Sequence, residues 1–510
     1  MSPRLKNLLL VCTSVALSLA AAEAIVRSLD GYTLGALRLN TPTGPATVGT
    51  ELVDRLPRAT GVERAWFFSD PPPLPNRRPV PEEWTRLYRA IQDKDPGLLD
   101  FRAADMFKAW NAVFAGDPCT NRHLRGAPGR LFLNDPADGK PTPPYRFLPD
   151  ATLPSGLVTD QIGWRGAPIE TPRGQKTVRI VFVGASTTVD AHFQPFSWPE
   201  FVGYWLNRWA AAKQLPVRFE ALNAGREGIS STDIAAVVRT EVLPLRPDLV
   251  VYYEGANQFR PASVVEDVPA APVGGPPQAA TSPSWLTKSW LTTSWLTTAA
   301  RYSALLGRIQ AAVGAVASIG DGREPPKPDY RLAWPAGLDE GDPDLAYPRL
   351  PVSLGEIQHD LDRIRADLAG IGSELALSSF FWLVKDGLVL DPIRHKYILQ
   401  QLNAANYPYR YRDLERLAAF QNRVFAKYAK THGLAFIDVA RTTPFDPDLF
   451  VDAIHTNPAG SRVRGWIVFN QLLPVIEKHL ADGAWPRPWP TGAPSPLPTF
   501  TPRQITFHCD

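Results

Sequence analysis

A chain of 510 residues with 44% apolar and 21% charged side chains has the composition of an ordinary globular protein, which excludes overall disorder. Its formal charge of +3, with no concentrated basic stripe, gives no ground for a nucleic-acid partner. The 52 prolines, about twice the usual share, predict long irregular connections around a compact centre.

At the amino terminus Arg4 and Lys6 precede an apolar run over residues 8–22, followed by Glu23, Arg27 and Asp30. Basic residues ahead of an apolar run keep that end in the cytoplasm and send the rest of the chain across the membrane. Residues 1–30 therefore read as an export signal. Continued through Ala24, Ile25 and Val26, the run approaches the ~20 residues of a full span, whereas Ala20, Ala22 and Ala24 offer small-residue cleavage sites. Both an uncleaved inner-membrane anchor and a cleaved signal peptide are compatible with these residues. Either places the remaining chain in the periplasm or outside the cell. Beyond this segment only Cys119 and Cys509 remain, which permits one disulfide or two separate thiols.

Residues 31–173 form a proline-rich accessory region, with turn signals such as Asp70-Pro71-Pro72-Pro73. One helical stretch interrupts it, where Trp84, Leu87, Tyr88 and Ile91 recur every three to four residues. From residue 174 to 482 the pattern changes. Five short apolar runs, 178–183, 217–222, 248–253, 377–384 and 434–439, each suit a strand buried on both faces and alternate with helix-length segments. That alternation implies a parallel, doubly wound α/β sheet, whose ligands bind beyond the carboxyl ends of the strands.

An insertion over residues 262–350 separates the third and fourth runs. It carries Trp285-Leu286-Thr287, Trp290-Leu291-Thr292 and Trp295-Leu296-Thr297 at a spacing of five. Five residues advance ~500° around a helix, so the three indoles would fan out and not form one stripe. A lid or membrane-surface helix and a helix packed on the accessory layer both fit. A helical pattern resumes at 357–368. Tyr407, Tyr409 and Tyr411, interleaved with Arg410 and Arg412, offer either a sugar-stacking surface or a loop feeding a helix near Asp413. Residues 483–510, with seven prolines, read as an extended tail.

The chemistry gathers at the strand ends. The first run leads into Gly184-Ala185-Ser186-Thr187-Thr188, placing a serine on the turn into a helix, near free amides that would favour a nucleophile. A helix cap or a phosphate cradle would explain that turn alone equally well. The second run leads into Asn223-Ala224-Gly225-Arg226-Glu227-Gly228, and the third into Glu254-Gly255-Ala256-Asn257-Gln258. Glycines there allow close backbone approach, and an Asn amide can donate to a developing oxyanion. After the fifth run come Asp452-Ala453-Ile454-His455, a spacing at which one short turn can bring carboxylate and imidazole together. The other histidines, at 123, 192, 359, 395, 432, 479 and 508, show no paired spacing.

Taken in order, these four blocks resemble the SGNH (GDSL-type) hydrolase family over roughly residues 178–479, and the lead-in Asp160-Gln161-Ile162-Gly163-Trp164-Arg165-Gly166 is similar to that of membrane-tethered bacterial members. Ala185 and Gln258 depart from the family pattern, in which Asp is common at both places. The resemblance implies a three-layer α/β/α sandwich on a five-stranded parallel, flavodoxin-like sheet. It further implies a serine esterase with Ser186 as nucleophile, His455 as general base and Asp452 as its partner. The Ser186 and Gly228 amides and the Asn257 side chain would hold the oxyanion. Acyl transfer by such a site needs neither metal nor organic cofactor. Expected substrates are O-acyl esters of envelope glycan or lipid, O-acetyl esters among them. An O-acyltransferase using the same residues and a non-catalytic envelope protein are the alternatives.

Overall fold

The computed structural model describes residues 2–29, 34–35, 48–80, 82, 85, 130–135, 149–153, 156–190, 195–268, 302–309, 322–391, 395–489, 497–498 and 501–506. Trp285, Trp290, Trp295, Cys119, Cys509, His192 and most of the helix expected around residues 84–91 lie outside them. The chain divides into two compact units, one comprising Met1–Thr47, Ala270–Lys327 and Gly387–Pro408, the other Val48–Pro269, Pro328–Asp386 and Tyr409–Asp510.

The larger unit is built on five parallel strands, β1 (Thr177–Gly184), β2 (Arg218–Asn223), β3 (Leu249–Tyr253), β4 (Glu374–Ser378) and β5 (Ala435–Ile437), in the order β2-β1-β3-β4-β5. Every residue of β1 and β3 is buried, as continuous Val/Ile/Leu/Phe/Tyr runs require of strands covered on both faces. The strand order reverses between β1 and β3, the switch point beyond whose carboxyl ends doubly wound sheets bind ligands.

Helices cover both faces. α1 (Trp198–Ala212) and α5 (Pro458–Ala481) lie on one side, where Trp198 meets Phe182 and Tyr253 edge-on and Trp205 meets Trp466. α2 (Ser231–Val237), α3 (Leu354–Gly370) and α4 (Tyr411–Thr431) cover the other side. There Val181, Val183, Val250, Tyr252, Leu375 and Leu377 share one core with Ile234, Ile364 and Phe420. The result is a three-layer α/β/α sandwich. α1 begins where Glu200 reaches back to the Ser197 amide at 2.7 Å, a capping box ahead of an apolar face.

Two strand expectations need correction. The run 377–384 is not one strand: β4 ends at Ser378, and the chain then leaves the sheet, with the Leu383 amide bonded to the Ala453 carbonyl at 2.8 Å. Residues 379–384 are all buried, and burial without regular structure leaves the same apolar signature as a central strand. The run 434–439 likewise contributes only Ala435–Ile437, because the Asp438 carboxylate accepts from the Arg441 amide at 3.2 Å and starts the short helix Val439–Thr442. α4 begins at Tyr411, two residues before the start anticipated from sequence.

The lead-in segment is bonded to the edge of the sheet. Asp160 accepts from the amides of Ile162 and Trp164, both at 2.9 Å, and Arg165 bridges to Asn223 at the end of β2. The Trp164 indole donates to Glu241 at 2.8 Å, and the same carboxylate pairs with the buried Arg226. Residues Thr501–Thr506 pair antiparallel with Arg130–Asp135, so part of the expected tail forms a ribbon with part of the expected accessory region.

In the smaller unit, the helix Pro3–Leu29 contains the one stretch among the described residues, Pro3–Ser28, that is long and apolar enough to cross a membrane. Near its carboxyl end Glu23 pairs with Arg27 at 2.6 Å and accepts from Ser303 Oγ and from the amides of Ala304 and Leu305 at 2.7–2.9 Å. It thereby caps the start of a second helix.

Candidate functional site

Ser186 opens the four-residue helix Ser186–Val189 directly after β1. The turn is tight because Gly184 has no side chain: a Cβ there would lie 2.1 Å from Thr188 Oγ1 and 2.2 Å from the Tyr253 carbonyl. Thr188 uses that space to donate to the Tyr253 carbonyl at 2.7 Å, tying the Ser186 turn to the end of β3. Ser186 itself is half-buried.

His455 arrives from the far end of the chain. Its turn is closed by Asp452, whose Oδ1 accepts from the amides of Ile454 at 2.9 Å and His455 at 2.8 Å. Asp452 Oδ2 lies 2.7 Å from His455 Nδ1, and His455 Nε2 lies 2.8 Å from Ser186 Oγ. Three residues that the sequence places in two blocks 269 positions apart thus form one hydrogen-bonded row. Asp452 is 1% exposed, whereas 34% of the His455 side chain remains open to solvent. Burial pulls the imidazole's proton affinity down, but the charge and hydrogen bond of Asp452 outweigh it, and the net pKa lies above the ordinary 6.5.

Gly228 and Asn257 lie in the loops that follow β2 and β3, the strands on either side of β1, and both are exposed. Gly228 adopts φ +67°, a conformation that favours glycine. Its loop is held beside the nucleophile strand by the Arg226 amide, which donates to the Gly184 carbonyl at 3.2 Å. Asn257 Nδ2 donates to the Ile229 carbonyl at 2.8 Å, joining the two loops. An amide NH2 carries two protons, so this bond leaves one for another acceptor. The hydrogen bonds among the described residues thus join Ser186, His455 and Asp452 to each other, and Asn257 to the loop of Gly228. Of the departures from the family pattern, Ala185 is fully buried, and Gln258 accepts from the Ser231 amide at 2.7 Å, fastening α2 below the loop.

Three neighbours were not singled out from sequence. Glu254 accepts from the amides of Ala256 at 2.7 Å and Asn257 at 2.8 Å, which shapes the loop carrying the Asn257 side chain; burial raises its pKa. Asp190, in the left-handed region at φ +69°, accepts from the Trp198 amide at 3.0 Å and from Ser461 Oγ at 2.8 Å. Arg464, on α5, is 1% exposed and donates to the carbonyls of Thr187 at 3.1 Å and Ile454 at 3.3 Å. A buried charge on a helix looks in sequence like any solvated one; the only signal was that Arg464 follows the Asp-x-x-His block by nine residues. Of the remaining described histidines, His395 accepts from the Asp391 amide at 3.2 Å and His479 pairs with Glu374 at 3.1 Å. Among the described residues no group of three or more His, Cys, Asp or Glu could hold a metal ion.

No protein-family model and no curated protein matches the chain. Solved structures similar to it include an alpha/beta hydrolase enzyme from the metagenome of Lake Arreo, Spain, at 14% identity, covering 58% of this chain and 96% of that one with a TM-score of 0.29. A catalytic mutant of an acetylxylan esterase from Geobacillus stearothermophilus is similar at 13% identity over 58% of this chain and 93% of that one, with a TM-score of 0.30. The lipase/acylhydrolase from Enterococcus faecalis is similar at 15% identity over 58% and 96%, again with a TM-score of 0.30. Likeness at this level carries nothing about activity.

Proposed function

We propose that the protein is a serine esterase of the SGNH type, exported and held in the inner membrane by its first helix, that hydrolyses O-acyl esters of envelope glycan or lipid. The observation that carries this reading is the hydrogen-bonded row from Ser186 Oγ through His455 to Asp452, at 2.8 and 2.7 Å. A serine hydroxyl is a weak nucleophile until a base takes its proton, and His455 Nε2 is within reach to do so. Asp452 holds the Nδ1 proton, which fixes the tautomer and stabilises the imidazolium formed on attack. As the serine oxygen adds to the ester carbonyl, negative charge develops on the carbonyl oxygen. The Ser186 and Gly228 amides and the second Asn257 amide proton are the donors for it. His455 then returns the proton to the departing alcohol, and water, activated by the same imidazole, releases the acid from Ser186.

Retention of the first helix as an anchor is supported by Glu23. Its carboxylate caps a helix of the insertion through Ser303, Ala304 and Leu305, and of the three cleavage positions the one after Ala24 would remove it. The test is turnover of p-nitrophenyl esters of rising chain length, and acetate release from an O-acetylated polysaccharide, by the full-length protein in detergent with Ser186→Ala beside it. Turnover that Ser186→Ala abolishes supports the reading, and folded wild-type protein inert on every ester contradicts it.

A further inference from the structure

The row of Ser186, His455 and Asp452 depends on two turns contributed by distant parts of the chain, and something must hold those turns at a fixed separation. Arg464 reaches both. One guanidinium nitrogen donates to the carbonyl of Thr187, the residue after the serine, and another to the carbonyl of Ile454, the residue before the histidine. The guanidinium also lies over the Tyr253 ring, 5.1 Å from its centroid, at the end of β3. Asp190 performs the complementary tie. It ends the Ser186 helix and accepts from Ser461 Oγ at 2.8 Å and from Thr456 Oγ1, the residue after the histidine, at 3.4 Å. A buried cation and a buried anion therefore each join the serine turn to the histidine turn. A planar, forked donor suits the first task, because its donor directions are fixed, whereas an ammonium is a point charge with rotatable donors on a flexible stem.

We propose that Arg464 is a positioning residue: it pins the Ser186 turn to the His455 turn, a tie that Asp190 makes in parallel. This rests on the esterase reading of the site. Among the described residues, the charged groups that act on the imidazole include Asp452 on its own turn, Arg464 on α5, Asp190 after the nucleophile helix and Glu254 at the end of β3. The field of Arg464 opposes protonation of His455 and that of Asp190 favours it. A residue that merely fills space would leave the imidazole's titration unchanged.

Two readouts on the full-length protein in detergent separate the roles. The titration midpoint of His455 is followed by NMR of isotope-labelled histidine, assigned with His455→Gln. The rate at which a fluorophosphonate labels Ser186 is measured across the same pH range. In Arg464→Met the midpoint rises by about one pH unit, the shift expected when a nearby charge is removed, and labelling at neutral pH falls by about 10²-fold, as misplacement by roughly 1 Å would cause. In Arg464→Lys the midpoint returns toward that of the wild type but the labelling rate does not. In Asp190→Asn the midpoint falls. A midpoint unchanged in folded Arg464→Met, or labelling fully restored by lysine, overturns the proposal. Absence of Ser186 labelling in wild-type protein would count against the esterase reading, and the His455 midpoints would still decide the role of Arg464.

Discussion

Asp452 and His455 are bonded twice: the carboxylate meets Nδ1 of the ring at 2.7 Å through one oxygen and accepts the histidine's own backbone amide at 2.8 Å through the other. The ring's orientation is thus tied to the backbone of its own turn. Asp452→Asn keeps the shape but can present an NH2 to the ring and stabilise the wrong tautomer. We expect kcat/KM for p-nitrophenyl acetate to fall by about 10³–10⁴-fold, with an unchanged Tm as the check on folding.

The raised pKa of His455 sets the direction of the pH profile. The imidazole must be neutral to accept the serine proton, so kcat/KM falls as pH drops through the free-enzyme value, which lies above the ordinary 6.5. Asp452 supplies the charge and the hydrogen bond that raise it. In the residual activity of Asp452→Asn the acidic limb therefore moves to lower pH. A limb that stays in place would contradict this assignment.

Asn257 holds its loop through one amide proton and has the other available to an oxyanion. In Asn257→Ala, kcat is expected to fall by about 10²–10³-fold with little change in KM, because the donor acts on charge that exists only in the transition state. Steady-state kinetics would read this directly; a change confined to KM would assign Asn257 to substrate binding.

Gly184→Ala tests the packing that forms the serine turn. The added Cβ would stand 2.2 Å from the Tyr253 carbonyl, which is backbone and cannot swing away. Overpacking of this kind costs about 1–3 kcal/mol, so the Tm should fall, and labelling of Ser186 with it. A Tm equal to that of the wild type would mean the turn has more room than the structure gives it.

The layered fold was legible because buried parallel strands leave long Val/Ile/Leu/Phe runs: β1, β2 and β3 begin and end within a residue or so of the boundaries expected from sequence. β4 was not, because Phe380, Phe381 and Trp382 are buried in a segment that covers the top of the sheet and carry the same apolar signal as a strand. That the Ser186 and Asp452–His455 blocks would meet was implied by the family resemblance; Ser186 stands at the end of β1, whereas Asp452 follows β5 only after a short helix and a further turn. Arg464 and Asp190 were illegible for a different reason. Their burial depends on the Ser186 helix packing against α1 and α5, and nothing in local spacing distinguishes a buried charge from a solvated one.

If Ser186 is an activated nucleophile, the full-length protein treated with a fluorophosphonate carries an adduct there that mass spectrometry can locate, with His455→Gln and Ser186→Ala alongside. A single adduct on Ser186 is expected in the wild type, its formation slowed by at least about 10³-fold in His455→Gln, and none in Ser186→Ala. An unmodified Ser186 in folded wild-type protein, or an adduct forming at the same rate without His455, would contradict that role.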